Sequence, residues 1–236
     1  MVDTLEAELT GHTILRMDAD TTRSRGSHTA ILKAFQEEAA QVLVGTQMVA
    51  KGLDFPKVTL VGIIHVDGLL SLPDYQGAER AFQMVTQAAG RAGRGERLGR
   101  VLIQTFDPGN PLFQSIIDYD YNSFYQREMQ FRQMMNYPPW VYLARIVISS
   151  VDEKTGMNLA LQLTDFINEI KIKEVTVLGP ATAPIFRIKD RLRYHILLRG
   201  KDDKGITNIL NRIRRQWNQG DSEARILLDM DPQSLM

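Results

Sequence analysis

The sequence contains no cysteine and only four histidines. Without thiols, disulfide bonds and thiolate metal sites are excluded. The histidines (His12, His28, His65 and His195) lie far apart and lack the spacing of metal ligands. We therefore expect these residues to bind no metal.

Long apolar segments are absent as well. No apolar run approaches the length required to cross a bilayer, and the N-terminus is acidic where a signal peptide would be basic and then apolar. We expect a cytoplasmic protein with no membrane role. The composition, 44% hydrophobic and 24% charged, is typical of soluble globular proteins, and 236 residues suffice for two domains.

The first hundred residues alternate between strand and helix patterns. Strands are predicted at 13–17, 41–45, 58–66 and 100–106, and helices at 27–40 and 74–91. This βαβ alternation predicts a parallel α/β layer, and the near-continuous apolar run at 58–66 predicts a strand covered on both faces. The breaker cluster Asp107-Pro-Gly-Asn-Pro111 closes the domain, so we assign residues 1–107 to it.

The remaining residues predict a different architecture. Residues 108–139 form a predicted helical linker, with one helix at 112–135 that ends before Tyr137-Pro-Pro139. Residues 140–236 form the second domain. Its predicted elements are strand 141–149, helix 153–170, strands 175–183 and 186–198, helix 202–217 and strand 224–230. The order βαββαβ is that of a ferredoxin-like α+β fold, an antiparallel sheet with helices on one face.

Polar residues follow the strand that ends at Gly45. Thr46 and Gln47 would present hydroxyl and amide donors at the carboxyl edge of a parallel sheet, where ligands of open α/β folds bind. In the following Lys51-Gly-Leu-Asp54 segment, Gly52 lets the backbone approach a ligand, and Asp54 can accept hydrogen bonds from ribose hydroxyls. A plain strand-to-loop turn is the alternative.

A second motif, Gln87-Ala-Ala-Gly-Arg-Ala-Gly-Arg94, ends the predicted helix. Arg91 and Arg94 are three residues apart, so both guanidinium groups can reach the same anion. An arginine against a γ-phosphate stabilises the charge that develops in the transition state. The alternative is a glycine-rich helix end with solvated arginines.

Basic residues are concentrated in the second domain, although the net charge of the chain is zero. Residues 187–215 hold ten basic residues against three acidic ones. On a strand, Arg191, Arg193 and His195 would share one face, which suits single-stranded or branched nucleic acid. The candidate nucleic-acid-binding residues of this domain are Arg187, Lys189, Arg191 and Arg193. A solvated face balanced by neighbouring acids is the alternative.

Together these motifs resemble a known family. The two glycine-containing segments are similar to motifs V and VI of superfamily 2 helicases. Four segments in the first half and four in the second resemble the PriA family of primosomal replication-restart helicases over essentially the whole chain. They are Arg16-Met-Asp-Ala-Asp-Thr-Thr22, Ala50-Lys-Gly-Leu-Asp-Phe-Pro56, Asp74-Tyr-Gln-Gly-Ala-Glu-Arg80, Thr86–Arg94, Phe124-Tyr-x-x-Glu128, Tyr137-Pro-Pro139, Gly179-Pro-Ala181 and Arg191-Leu-Arg-Tyr194.

The resemblance implies a RecA-like second helicase lobe for residues 1–107. It implies that Gln87, Arg91 and Arg94 contact ATP, with one of the two arginines as the arginine finger, and that Gly52 and Asp54 lie at the nucleotide edge. Which arginine is the finger stays open. The residues that would couple the nucleotide to the DNA strand are Thr46, Gln47 and Lys51.

The resemblance also implies a function. Members of the family are ATP-dependent 3′-to-5′ DNA helicases that recognise stalled or abandoned replication forks and promote primosome assembly. The implied partners are forked and single-stranded DNA, single-strand DNA-binding protein and other primosome proteins; the cofactors are ATP and magnesium, with zinc held elsewhere in the full-length family. The alternative is a non-catalytic nucleic-acid-binding or protein-interaction module built on a helicase-like lobe.

The sequence lacks half of the motifs that a helicase of this kind needs to bind and hydrolyse ATP. No GxxxxGK[ST] phosphate loop can be written onto it, and its Asp-Glu pair, Asp152-Glu153, lies before a predicted helix. We expect this chain to be a C-terminal portion of a longer enzyme. By itself it is predicted to have no ATPase activity, because most ligands for ATP and magnesium would lie outside it.

Overall fold

The computed structural model describes residues 1–18, 20–22, 26–46, 55–93, 98–217 and 224–236. It divides into two compact units. The first unit contains residues 1–68 and 80–116, and the second contains residues 69–79 and 117–236. The predicted boundaries at 107 and 139 stay a prediction. Across the described ranges, no helix is both long and apolar enough to span a membrane.

The first unit is built on two pairs of parallel strands. They are β1 (Ile14–Met17) with β2 (Val42–Gly45), and β3 (Leu60–Ile63) with β4 (Arg100–Ile103). The helices are α1 (Val2–Glu8), α2 (Ser27–Gln36), α3 (Asp67–Leu70), α4 (Gly77–Ala89) and α5 (Pro111–Ile117). Helix α4 begins in the second unit and continues in the first, while α3 and α5 begin in the first unit and end in the second. Parallel strands alternating with helices confirm the predicted α/β class.

The prediction that residues 58–66 form a strand covered on both faces is wrong. The strand is shorter, and Leu60 is 57% exposed. Gly62 lies on the same face of the sheet as Leu60, and so does Leu102 of the paired strand, which is 61% exposed. The opposite face holds the buried Ile63. The β3–β4 pair is therefore packed on one side only in the described residues.

The second unit contains a four-stranded antiparallel sheet with strand order β6-β7-β5-β8. Its elements are α6 (Tyr121–Met134), β5 (Tyr142–Ser150), α7 (Glu153–Glu169), β6 (Val175–Ile188), β7 (Arg191–Gly200), α8 (Asp203–Gln216) and β8 (Ala224–Met230). The chain order from β5 to β8 is βαββαβ, which confirms the ferredoxin-like prediction.

Helices α7 and α8 pack on one face of this sheet. Alternate residues of β5 and β7 point to that face, because side chains of a strand alternate with a period of two. The buried core formed there contains Ala144, Ile146, Ile148, Tyr194, Ile196 and Leu198 from the strands, and Ala160, Leu163, Ile167, Ile206, Ile209 and Ile213 from the helices. Gly156 lets α7 approach, since a Cβ there would lie 2.9 Å from the ring of Tyr194.

Three helices of the second unit have an aspartate as their N-cap residue. Asp120, Asp152 and Asp202 accept backbone hydrogen bonds from Ser123, Thr155 and Gly205, at 2.9, 2.7 and 3.1 Å. These bonds satisfy amides that the first helical turn leaves without partners. The hydrogen bond from the Ser123 hydroxyl, followed by that from the Ser123 backbone, holds the pKa of Asp120 below its usual range. The hydrogen bond from the Thr155 backbone does the same for the pKa of Asp152.

The predicted single helix at 112–135 is wrong. The structure has two helices, α5 and α6, separated by residues 118–120. Tyr119 adopts a positive φ of 53°, which ends the first helix, and the Asp120 cap begins the second.

The predicted boundary between the two strands of the β6–β7 hairpin is also wrong. The turn lies at Lys189 and Asp190, whose φ angles of 46° and 62° form a two-residue turn closed by the Ile188–Arg191 pair. Residues 183–186, where a break was predicted, form an irregular bulge within β6 opposite Arg193. A bulge of this kind accommodates Pro184, which cannot donate a ladder hydrogen bond.

Candidate nucleotide edge and nucleic-acid interface

The carboxyl ends of β1 and β2 lie side by side in the first unit. Met17 pairs with Gly45, so Asp18 and Thr46, the next residues, follow the same edge of the parallel pair. Thr46 is exposed. This places its hydroxyl where ligands of open α/β sheets bind.

Side-chain hydrogen bonds fix the turn after β1. The Asp18 carboxylate accepts the backbone N–H groups of Asp20 and Thr21 at 3.1 and 3.0 Å and pairs with Arg16 at 2.5 Å. The hydrogen bond from the Thr21 backbone, followed by the contact with Arg16, holds the pKa of Asp18 below its usual range. The carboxylate is therefore ionised near neutral pH and can accept these hydrogen bonds there.

The glutamine–arginine motif lies at the end of α4. Gln87 is exposed in the last turn, and Arg91 is half-buried just beyond it. The backbone N–H of Gly93 donates to the carbonyl of Val58 at 3.0 Å, which ties the helix exit to the segment before β3. An amide and a guanidinium at this exit are a donor set that suits phosphate oxygens.

The other predicted residues of this edge lie outside the described residues. They are Gln47, Lys51, Gly52, Asp54 and Arg94. The ATP and DNA-coupling roles of Thr46, Gln87, Arg91 and these five residues stay predictions.

The second unit carries a basic row across the open face of its sheet, opposite the helices. Ser149 of β5 pairs with Arg193 of β7 on one side and with Arg225 of β8 on the other. Paired residues point to the same face, so two guanidinium groups flank one hydroxyl. The next row places His195 and Leu227 on either side of Val147. Arg225 and Leu227 are exposed, so this end of the face is open.

The opposite end of the same face is covered. Leu143 and Arg145 are buried there, and Arg145 donates to the carbonyl of Met236 and pairs with Asp229 at 3.2 Å. Arg199 donates to the carbonyl of Met135 at 3.1 Å. The C-terminal residues and the residue that follows α6 thus occupy this part of the face. Among the described residues, the end with the basic row stays accessible.

The four basic residues predicted to bind nucleic acid do not share one strand. Arg191 and Arg193 lie on β7, and donate to the carbonyls of Ser149 and Ile185 at 2.7 and 3.3 Å. Arg187 lies on β6 and pairs with Asp190, while Lys189 is in the turn. The prediction of a single basic strand is wrong for Arg187 and Lys189, because the turn lies further along the chain. Their binding role stays a prediction.

Sequence patterns missed Ser149, Arg145 and Arg225 as parts of this surface. Each lies on a strand whose pairing partner is distant in sequence. Alternation along β5 and β8 indicates their face, but only the register brings them beside Arg193.

Positive charge on this face exceeds negative charge near His195. Burial, followed by repulsion from Arg145 and Arg193, lowers the pKa of His195. Burial and Arg145 likewise lower the pKa of Arg193. The carboxylate of Asp229 is paired with Arg145. A bound anion would offset this excess, so the face is suited to phosphate groups.

We expect the stability of the fold to fall as the pH drops below about 6.5, partly through His195. Because its pKa is lower in the folded state than the ordinary 6.5, the unfolded chain binds more protons in this window. The free energy of unfolding from urea titrations should therefore rise with pH up to that value. His195→Gln should flatten this rise, whereas His12→Gln, at an exposed position of the first unit, should not. An unchanged slope in His195→Gln would contradict the assignment.

A buried polar cluster holds residues 74–79 within the second unit. Arg132 pairs with Glu128 at 2.7 Å and Glu79 at 2.8 Å, and its guanidinium lies 5.2 Å from the ring centroid of Tyr75. That ring stacks on Tyr137 at 5.4 Å. Sequence patterns gave no sign of these contacts, which join residues far apart in the chain.

The C-terminal segment completes this cluster. The Asp74 carboxylate accepts hydrogen bonds from the Ser234 hydroxyl at 2.8 Å and the Leu235 backbone at 3.3 Å. The Tyr75 hydroxyl donates to the carbonyl of Pro232 at 3.3 Å. Residues 69–79 therefore belong to the second unit although they lie between two parts of the first.

Both parts of the chain match known families. Residues 133–233 match the family described as Primosomal protein N C-terminal domain. Residues 1–96 match the Helicase conserved C-terminal domain.

Curated relatives match nearly the whole chain. Replication restart protein PriA of Bacillus subtilis is 40% identical over 225 residues, covering 94% of this chain and 28% of the relative. The protein of the same name from Synechocystis is 39% identical, covering 94% and 26%. That of Haemophilus influenzae is 33% identical, covering 99% and 32%. The chain thus spans between about a quarter and a third of the length of these relatives.

Proposed function

The chain belongs to the PriA family of replication restart proteins, and from this premise we propose that it is the second motor lobe and C-terminal domain of an ATP-dependent 3′-to-5′ DNA helicase. The full-length protein would recognise stalled or abandoned replication forks and promote primosome assembly. Its partners would be forked and single-stranded DNA, single-strand DNA-binding protein and other primosome proteins.

The proposed chemistry is phosphoryl transfer from ATP to water in a cleft between two lobes. This chain would contribute one wall, in which the Gln87 amide contacts the nucleotide and Arg91 or Arg94 balances the charge of the transition state. Thr46 would help to couple the nucleotide to the DNA strand. The phosphate loop and the magnesium ligands would come from the other lobe. Closure of the cleft would then be coupled to movement along a DNA strand.

The open sheet face is the observation that carries the DNA-binding part of the proposal. Arg193 and Arg225 flank Ser149 across three strands, and adjacent strands are about 4.8 Å apart. Two cations separated by about twice that spacing can contact neighbouring phosphates of one backbone, while the hydroxyl donates between them. Phosphate contacts of this kind supply affinity without sequence preference, as binding to forks of any sequence requires.

Replacing both arginines should weaken DNA binding and make it less sensitive to salt. Each lost phosphate contact lowers the magnitude of the slope of log K against log salt by about 0.7 to 0.9, so the variant Arg193→Ala/Arg225→Ala should lose between about 1 and 2. The measurement is fluorescence anisotropy of a labelled single strand across a series of salt concentrations.

The matched control removes the same charge from the helical side of the domain. Arg214 and Arg215 are exposed on α8, so Arg214→Ala/Arg215→Ala should keep the wild-type slope within experimental error. Equal losses in the two variants would mean that net charge, rather than the open face, determines binding.

A further inference from the structure

The tip of the β6–β7 hairpin carries apolar side chains that the basic row does not explain. Ile185, Phe186 and Ile188 are 45%, 37% and 43% exposed. They lie within a few residues of Arg187, Lys189, Arg191 and Arg193. Hairpin tips without a binding role usually expose polar side chains. Exposed apolar side chains bordered by charged ones are typical of interaction sites.

These apolar groups occupy both faces of the hairpin. Ile188 pairs with Arg191 and so shares the open face of the sheet with it. The Phe186 ring contacts the ring of the core residue Tyr194 edge to face, with 5.8 Å between the ring centroids. Phe186 therefore lies on the face of the sheet that carries the helices. Each face thus combines one exposed apolar side chain with a neighbouring arginine, since Arg187 pairs with Leu192 on the helical side.

Contacts within the tip also restrict its conformation. The two-residue turn is closed by the Ile188–Arg191 pair, and Arg187 pairs with Asp190 at 2.9 Å across it. Arg193 holds the bulge through its hydrogen bond to the Ile185 carbonyl. A preorganised tip loses little conformational entropy when it meets a ligand.

We propose that this tip, residues 185–191, is a wedge that inserts between bases at a junction of single-stranded and double-stranded DNA. Proteins that unstack base steps do so with apolar side chains, while cations beside them hold the phosphates of the displaced strands. Apolar side chains on both faces can contact a base on each side of the opened step. This assignment rests on the proposed DNA-binding function and names the part of a fork that the hairpin contacts.

The test uses the 236-residue chain and a forked DNA with 2-aminopurine at the first base pair of the junction. Unstacking of that base raises its fluorescence. Saturating wild-type protein should raise the signal at the junction severalfold and leave a probe deep in the duplex unchanged. The variant Phe186→Ser/Ile188→Ser should lose most of this rise, while its affinity for the fork stays within about threefold, because phosphate contacts dominate affinity.

The control variant, Leu161→Ser/Leu178→Ser, removes two apolar side chains of similar exposure, 46% and 41%, away from the tip. It should keep the full fluorescence rise. The conservative variant Phe186→Tyr/Ile188→Leu, which keeps an aromatic ring and an aliphatic side chain at these positions, should keep it as well. A folded Phe186→Ser/Ile188→Ser protein is verified by near-ultraviolet circular dichroism.

Three results would overturn the wedge. They are a full fluorescence rise in the serine variant, an equal loss in the control variant, and fork binding by the wild type without any rise. The last result would leave the proposed DNA binding intact. Absence of fork binding by the wild type would instead refute the DNA-binding function of this chain, and the wedge with it.

Discussion

Under the proposed function, alanine at the finger position, Arg91 or Arg94, is expected to lower DNA-stimulated ATP hydrolysis by the full-length protein about a thousandfold or more. An arginine finger acts on the charge that builds on the transferred phosphoryl group, so its removal affects the transition state far more than the bound substrate. Binding of ATP should therefore be weakened but still measurable. Steady-state hydrolysis with and without forked DNA, and binding of a fluorescent ATP analogue, separate the two effects.

The control for this experiment is Arg100→Ala, at an exposed arginine that begins β4 in the same unit. It should retain hydrolysis close to that of the wild type. Wild-type turnover in both Arg91→Ala and Arg94→Ala would contradict the composite ATP pocket. It would favour a non-catalytic module in which the helicase-like lobe is only a scaffold.

Replacement of Arg132 by methionine is expected to destabilise the second unit by about 3 kcal/mol or more. The side chain of Arg132 is 9% exposed, and that of its partner Glu128 is 12% exposed. Methionine fills a similar volume but leaves the Glu128 carboxylate buried without its cation, which is the costly outcome for a buried ion pair. It also removes the guanidinium beside the Tyr75 ring. Urea unfolding followed by circular dichroism measures the change.

Two further variants test the reason for this loss. Arg127→Met removes an exposed arginine from the same helix and should change the free energy of unfolding by no more than about 0.5 kcal/mol. The double variant Arg132→Met/Glu128→Gln should recover part of the loss, because the buried charge is removed. A loss in Arg132→Met as small as that in Arg127→Met would show that the cluster does not stabilise the second unit.

Most of the fold could be predicted from local patterns. Alternation of apolar residues with a period of two identified β5 and β7, and helical spacing identified α7 and α8, so the βαββαβ order followed. The turn at Lys189 and Asp190 was missed because neither residue is glycine. Such a two-residue turn requires positive φ at both positions. A Lys-Asp pair does not indicate this conformation in the way that glycine does.

Contacts between distant residues could not be predicted in the same way. Asp74 and Tyr75 lie between segments of the first unit in sequence, yet their partners are residues of α6 and the C-terminus. The basic row shows the same limit. Arg193 was found from its own strand, whereas Ser149 and Arg225 join it only through strand register.

The most direct test of the account is to locate the DNA on the second unit by nuclear magnetic resonance. Backbone amide shifts of the isotope-labelled chain would be followed during titration with a short single strand. The largest changes should fall on β5, β7 and β8 around Ser149, Arg193 and Arg225, because the basic row lies there. Changes confined to α7 and α8, with the strands unaffected, would contradict it.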